Sequence, residues 1–201
     1  MTIVKMLGKA FGAFILFTLM TGVLYTGVVT GIAQVVFPFQ SNGSIVETDQ
    51  GEKYCLLLGQ DFQDEDHMWG RVMNYNVDTF TDEDGNEAAW AGATNISPAS
   101  SEFDKLMQER IQKIRDAHPE HAGDPIPSDL VTCSGSGLDP HISPAAAEYQ
   151  VERLAKNTNK TEEEVREIIE KCTEGEQFGI LGEPTVNVVK VNLILDGKIS
   201  A

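Results

Sequence analysis

Hydrophobic and polar positions divide this chain at residue 46. The 37 residues from Ala10 to Val46 carry no charge. Within them, residues 11–37 (FGAFILFTLMTGVLYTGVVTGIAQVVF) are almost all apolar, Gly or Thr. At ~1.5 Å rise per residue, roughly 20 such residues cross the hydrocarbon core of a bilayer. The pattern therefore predicts one transmembrane helix, and no second stretch matches it in length. Phe37, Pro38 and Phe39 close the span, with aromatic rings suited to the interface and a proline that discourages further helix.

Beyond the span the periodicities are mixed. Residues 41–44 (SNGS) predict a turn, and residues 53–58 (KYCLLL) a short buried strand closing at Gly59. Residues 61–95 are loop-rich and acidic, with Asp82-Glu83-Asp84-Gly85-Asn86 as the clearest turn. Ser100 or Ser101 caps a helix whose apolar face is Phe103, Leu106, Met107, Ile111 and Ile114. Ser143-Pro144 starts a helix running to about Lys156. Thr161 and Glu164 form a capping box for another, ending near Gly175. Residues 186–195 alternate Val189, Val191, Leu193 and Leu195 with Lys190, Asn192 and Ile194, which predicts a strand. Without regular βαβ spacing, the expected class is α+β: one N-terminal transmembrane helix followed by a single mixed α/β extracytoplasmic domain. The corresponding divisions are 1–10 cytoplasmic, 11–37 transmembrane and 38–201 extracytoplasmic.

Charge supplies the orientation. Lys5 and Lys9 precede the span, whereas the first charge after it is Glu47. Lys/Arg excess stays in the cytoplasm, so the larger part faces outward from a cell membrane that the chain crosses once. Cleavage after Ala33, as from a signal peptide, is the rival reading; signal h-regions run only ~7–15 residues, shorter than this one. After the span, 13 Lys/Arg stand against all 31 Asp/Glu. Such a surface repels nucleic acid and anionic lipid, so neither is an expected partner. Cys55, Cys133 and Cys172 permit one disulfide outside the cell without specifying a pair.

Several groupings invite a chemical reading. Ser134, Ser136, Asp139 and His141 suggest a membrane-anchored serine hydrolase using Ser136 and His141. A nucleophile elbow would need a glycine where Ser134 stands, and triad members normally come from distant elements. No catalytic residue is therefore assigned. Ser134, Gly135, Ser136 and Gly137 form a candidate anion loop, lacking the lysine of a P-loop. Asp61, Asp64, Glu65, Asp66 and His67 could make the domain a cation-binding module. They do not match an EF-hand, and no metal site is assigned. In the span, Gly27 and Gly31 overlap Thr26 and Thr30, a small-residue face suited to a partner helix.

The segment PSDLVTCSGSGLDPHISPAAAEYQ (residues 127–150) strongly resembles the signature of the C subunit (KdpC) family of Kdp potassium-transporting ATPases. LGEPTVNVVKVNLILD (residues 181–196) is similar to that family's closing strand. Tyr25, the Phe37–Gln40 exit, Asn42-Gly43-Ser44, Gly59-Gln60-Asp61-Phe62 and Trp69-Gly70-Arg71 follow in the family's order. The middle departs from it, since Val72-Met73-Asn74 follows Arg71 where Pro-Ser-Ala is usual. The resemblance implies a non-catalytic subunit of an ATP-driven high-affinity potassium uptake complex, needed for assembly. The implied partners are a channel-like K⁺-binding subunit (KdpA), a P-type ATPase subunit (KdpB) and a small subunit (KdpF). It also implies a catalytic chaperone that raises the ATPase subunit's affinity for ATP. ATP, however, is cytoplasmic, on the opposite side from the expected domain, and no bound cofactor is assigned.

Overall fold

The computed structural model describes residues 3–81, 85 and 87–200. Its chain separates into two compact units, Met1–Val46 and Glu47–Ala201.

The first unit is a long helix, Ile3–Val36, of 34 residues, apolar enough to cross a membrane. At ~1.5 Å per residue it extends roughly 50 Å, more than the ~30 Å hydrocarbon core. It comprises α1 (Ile3–Thr18), a π-helical stretch (Leu19–Tyr25) and α2 (Thr26–Val36). No residue of it is buried, as expected where the solvent is lipid. Threonines bracket the wide π turn: Thr21 Oγ1 donates to Phe17 O (2.7 Å) and Thr26 Oγ1 to Thr21 O (2.9 Å). A single turn, α3 (Pro38–Ser41), follows, and Asn42 Nδ2 donates to Pro38 O at 2.6 Å. The boundary between the units falls within β1 (Ile45–Glu47).

The second unit is mixed α/β. Its elements are β2 (Lys53–Cys55), β3 (Tyr75–Thr81), β4 (Glu87–Ala91), α4 (Ser101–Ala117), β5 (His141–Ile142), α5 (Pro144–Glu148), α6 (Val151–Thr158), α7 (Glu162–Lys171), β6 (Thr173–Glu174), β7 (Thr185–Asn187) and α8 (Val188–Leu195). β7 lies between β5 and β6, antiparallel to both. β3 and β4 pair antiparallel, with Tyr75 opposite Ala91 and an irregularity between Asn76 and Phe80. The core gathers Met68, Ile114, Ile142, Leu154, Val165, Val186, Val188 and Val191 beneath α4–α8.

Local signals placed three helices well. Ser100 caps α4 by accepting from Phe103 N at 3.2 Å. Both halves of the Thr161/Glu164 capping box form at α7, although the helix ends at Lys171 rather than near Gly175. Ser143 caps α5, accepting from Ala146 N. Residues 144–158 do not make one helix, however: α5 stops at Glu148, and α6 begins at Val151 after the fully buried Gln150.

Three expectations are corrected. The strand expected over 186–195 is three residues of β7 followed by the helix α8. Lys190 and Asn192 fall two apart and so imitate strand alternation, but Asn192 is buried, and Asn187 caps the helix by accepting from Lys190 N. The strand expected over 53–58 ends at Cys55, with Leu57 and Leu58 exposed. The region 61–95 contains the β3–β4 hairpin, while its turn at residues 82–86 lies outside the described residues except for Gly85.

Candidate functional site

The unit is organised around the Met68-Trp69 dipeptide, which two buried amides grip as a strand would. Asn192 Oδ1 accepts from Met68 N (2.7 Å) while its Nδ2 donates to Met68 O (2.9 Å). Gln150 Oε1 accepts from Trp69 N (2.8 Å), and its Nε2 donates to Trp69 O (2.9 Å) and Ala146 O (3.1 Å). Both amides are completely buried, so satisfying every polar atom is what makes them tolerable there.

Against Trp69 packs Arg153, 5% exposed, its guanidinium 4.8 Å from the ring centroid. Arg153 donates to the carbonyls of Glu65 and His67, to Gln150 Oε1 (2.8 Å) and to His118 Nε2 (3.0 Å). Burial lowers its pKa to about 10, with Glu120, Glu65 and Asp66 working the other way. Because His118 Nε2 accepts from Arg153, Nδ1 carries the proton and donates to Ile114 O at 2.8 Å. Burial first, and then the Arg153 charge, hold the imidazole pKa below its ordinary value, against the raising pull of that carbonyl. A guanidinium held by carbonyls and a neutral histidine fixes the 64–69 loop; it is not arranged to transfer a proton.

The sequence-derived candidates fall in four places. In the 134–138 loop, Ser134 Oγ accepts from Gly137 N (3.0 Å) and Ser136 Oγ from Leu138 N (3.2 Å), so two amides a bound anion would use are already engaged. Gly137 has φ +74°, and a Cβ there would fall 2.5 Å from Asn74 O and 2.6 Å from Gly92 O. Its carbonyl also accepts from Asn74 N, which ties the loop to the base of the hairpin. Gly135, by contrast, faces open space.

Ser136 and His141 are engaged with different neighbours. The hydroxyl meets Ser134 Oγ at 3.2 Å; the imidazole lies 3.5 Å from Asp139 Oδ1 and 3.3 Å from Asn187 Nδ2. No serine–histidine pair supports a hydrolase among the described residues.

In the acidic stretch, Asp64, Asp66 and His67 bring ligand atoms within 4.8 Å of one another. His67 sits among carboxylates, with Asp196 Oδ1 3.0 Å from Nε2, Asp66 3.3 Å and Asp64 3.5 Å from Nδ1. Asp61 and Glu65 lie outside that group, and Glu65 contributes its carbonyl to Arg153. In the span, Gly27 and Gly31 meet nothing within 4 Å of a Cβ position. Thr26 uses its hydroxyl within its own helix, and Thr30 lies on the same helix, α2.

One feature escaped the sequence reading. Residues 176–182 form a tight turn in which Gln177 N donates to Leu181 O (2.8 Å) and Leu181 N to Gln177 O (3.0 Å). Phe178 and Gly179 have positive φ, +57° and +71°. The turn holds Phe178, Ile180 and Leu181 out at 90%, 80% and 55% exposure. Contiguous exposed apolar side chains mark interaction surfaces, whereas scattered ones do not. Alternating Phe-Gly-Ile-Leu-Gly between Glu176 and Glu183 was the available signal. None of the three cysteines is joined in a disulfide, and burial pushes the Cys172 thiol up to about 11.

The described residues thus comprise an apolar helix long enough to cross a membrane, a mixed α/β unit with an inward-facing polar network, and an exposed apolar tip. The chain is similar, over residues 7–197, to the profile of the KdpC family, K⁺-transporting ATPase, c chain. It is 54% identical over 190 residues to a potassium-transporting ATPase KdpC subunit of Clostridium botulinum, covering 94% of each chain. Identity to the Clostridium perfringens KdpC subunit is 50% over 194 residues (96% of this chain, 98% of that one). For that of Methylococcus capsulatus it is 43% over 182 residues (90% and 92%). The chain belongs to the KdpC family, and is thus an accessory subunit of a K⁺-transporting ATPase whose ATP chemistry resides in another subunit.

Proposed function

We propose that the chain is the outward-facing assembly subunit of an ATP-driven, high-affinity potassium uptake complex. It crosses the cell membrane once through residues 11–37, with residues 1–10 in the cytoplasm and 38–201 outside. The observation that carries this reading is the chain-long similarity to KdpC subunits, which spans anchor and domain alike. Lys5 and Lys9 before the span, against a strongly acidic sequence after it, support the orientation. The partners are the channel-like K⁺-binding subunit, the P-type ATPase subunit and the small subunit. The Gly27/Gly31 face supports helix contact in the membrane, and the Phe178–Ile180–Leu181 tip supports contact with the larger subunits outside it.

An outer domain has no access to cytoplasmic ATP, so any influence on ATP affinity passes through the partner subunits. The acidic surface concentrates cations near a pore mouth, within a screening distance of about 8 Å at physiological ionic strength. It does not choose K⁺ over Na⁺, which needs a coordinating filter.

Purification of the tagged chain from native membranes in mild detergent should recover larger multi-span proteins with ATPase activity; a solitary chain would refute the assignment. Protease added to intact spheroplasts should remove the domain after Phe39. Protection until permeabilisation would reverse the orientation.

A further inference from the structure

We propose that the cleft between α4 and the 69–72 segment binds a small oxyanion. The cleft measures about 130 Å³ and is lined by Arg71, Arg110 and Lys113 with Gln63, Trp69, Gly70, Val72, Ile114 and Leu130. In the sequence beyond the span, carboxylates outnumber cations 31 to 13, yet three of those cations line this cleft and no carboxylate does. A sampling of this surface by chance would give the reverse.

The cations are oriented by neutral acceptors. Arg110 NH1 donates to Val131 O at 3.0 Å. Lys113 Nζ donates to Gln63 Oε1 and lies 5.1 Å from the Trp69 ring centroid. Among the described residues neither has a carboxylate within ion-pair distance. Arg71 NH2 donates to Cys133 O (3.3 Å) and Thr132 Oγ1 (3.4 Å), and its NH1 lies 3.7 Å from Asp139, which is not on the cleft. Arg71 Nε is buried and lacks a hydrogen-bond partner. That nitrogen has no solvent-accessible surface, so a ligand in the cleft would meet other atoms of Arg71.

The arrangement fits a phosphate- or sulfate-type ion. Two guanidiniums and an ammonium supply charge-assisted donors, while Trp69, Ile114 and Leu130 exclude water from the remaining side. The volume is well below the ~300 Å³ at which pockets for larger organic ligands begin, so the cleft does not enclose a nucleotide. The proposal is independent of the pump assignment, because it concerns the isolated chain.

The full-length chain in detergent should be titrated with inorganic phosphate by calorimetry, at ionic strength held constant with KCl. The expected result is saturable uptake of one phosphate per chain, displaced by sulfate and not by chloride. Arg110→Gln combined with Lys113→Gln should weaken it by roughly tenfold or more. Both side chains are at least partly exposed, so the double variant should stay folded, its melting temperature without phosphate lowered by no more than about 2–4 °C through the lost Arg110–Val131 hydrogen bond. Absence of saturable binding, or equal affinity in the folded double variant, would overturn the proposal.

Discussion

Two glycine-bearing turns of the globular unit are built in opposite senses. In the 134–138 loop the serine hydroxyls accept from the loop's own amides, and Gly137 is wedged against Asn74 and Gly92. In the 176–182 turn the backbone closes on itself equally well, but Phe178 and Ile180 are held in solvent. The first is dense in residues that suggest chemistry and is occupied with holding the fold together. The second contains nothing reactive, yet holds large apolar side chains out in solvent. Residue types that suggest an active site say little until their polar atoms are accounted for.

The difference is sharpest under substitution. Gly137→Val forces a positive-φ backbone and a clash with two carbonyl oxygens at once. A loss of about 3 kcal/mol or more is expected, lowering the melting temperature by roughly 6–12 °C, and assembly should fail because the chain does. Phe178→Ser with Ile180→Ser should leave the melting temperature within about 2 °C while removing the chain from the complex on co-purification. Unchanged recovery of that double variant would show that attachment lies elsewhere.

A third test concerns the inward-facing polar network around Trp69. His118 is buried neutral with its pKa lowered, so below the ordinary value of 6.5 the unfolded state binds a proton that the folded state refuses. Stability should therefore fall as pH drops through about 6.5 and level off only below the folded-state pKa. His118→Gln should flatten this part of the melting temperature–pH profile. A slope unchanged by the substitution would assign the acid sensitivity to other groups. The smallest effect is expected in the anchor. Gly27→Leu with Gly31→Leu should cause partial loss of the chain from the complex, worse in harsher detergent, with insertion unchanged. Contacts of this kind contribute roughly 1–2 kcal/mol or less each, and retention in every detergent would place this face toward lipid.

What the sequence made legible was local. The Ser100, Ser143 and Thr161/Glu164 caps lie within four residues of the amides they serve, and the anchor is a matter of composition. The network was not legible, because its members are joined only by folding: Gln150 and Trp69 are 81 residues apart, Asn192 and Met68 are 124 apart, and Arg153 and His118 are 35 apart. α8 was misread because Lys190 and Asn192, two residues apart, imitate the alternation of a strand, whereas Asn192 points inward to hold Met68. The tip was missed since exposure, not residue type, is what makes Phe178 unusual.

The packing around Trp69 has an optical consequence. The chain has two tryptophans; Trp69 is 8% exposed, edge-on to His118 and near the Arg153 and Lys113 cations, whereas Trp90 is 43% exposed. Their fluorescence should separate into a component shielded from acrylamide and one readily quenched by it. With Trp90→Phe, the remaining emission would come from the heart of the polar network alone, an internal lamp whose colour follows the grip of Gln150 and Arg153 without any attached label.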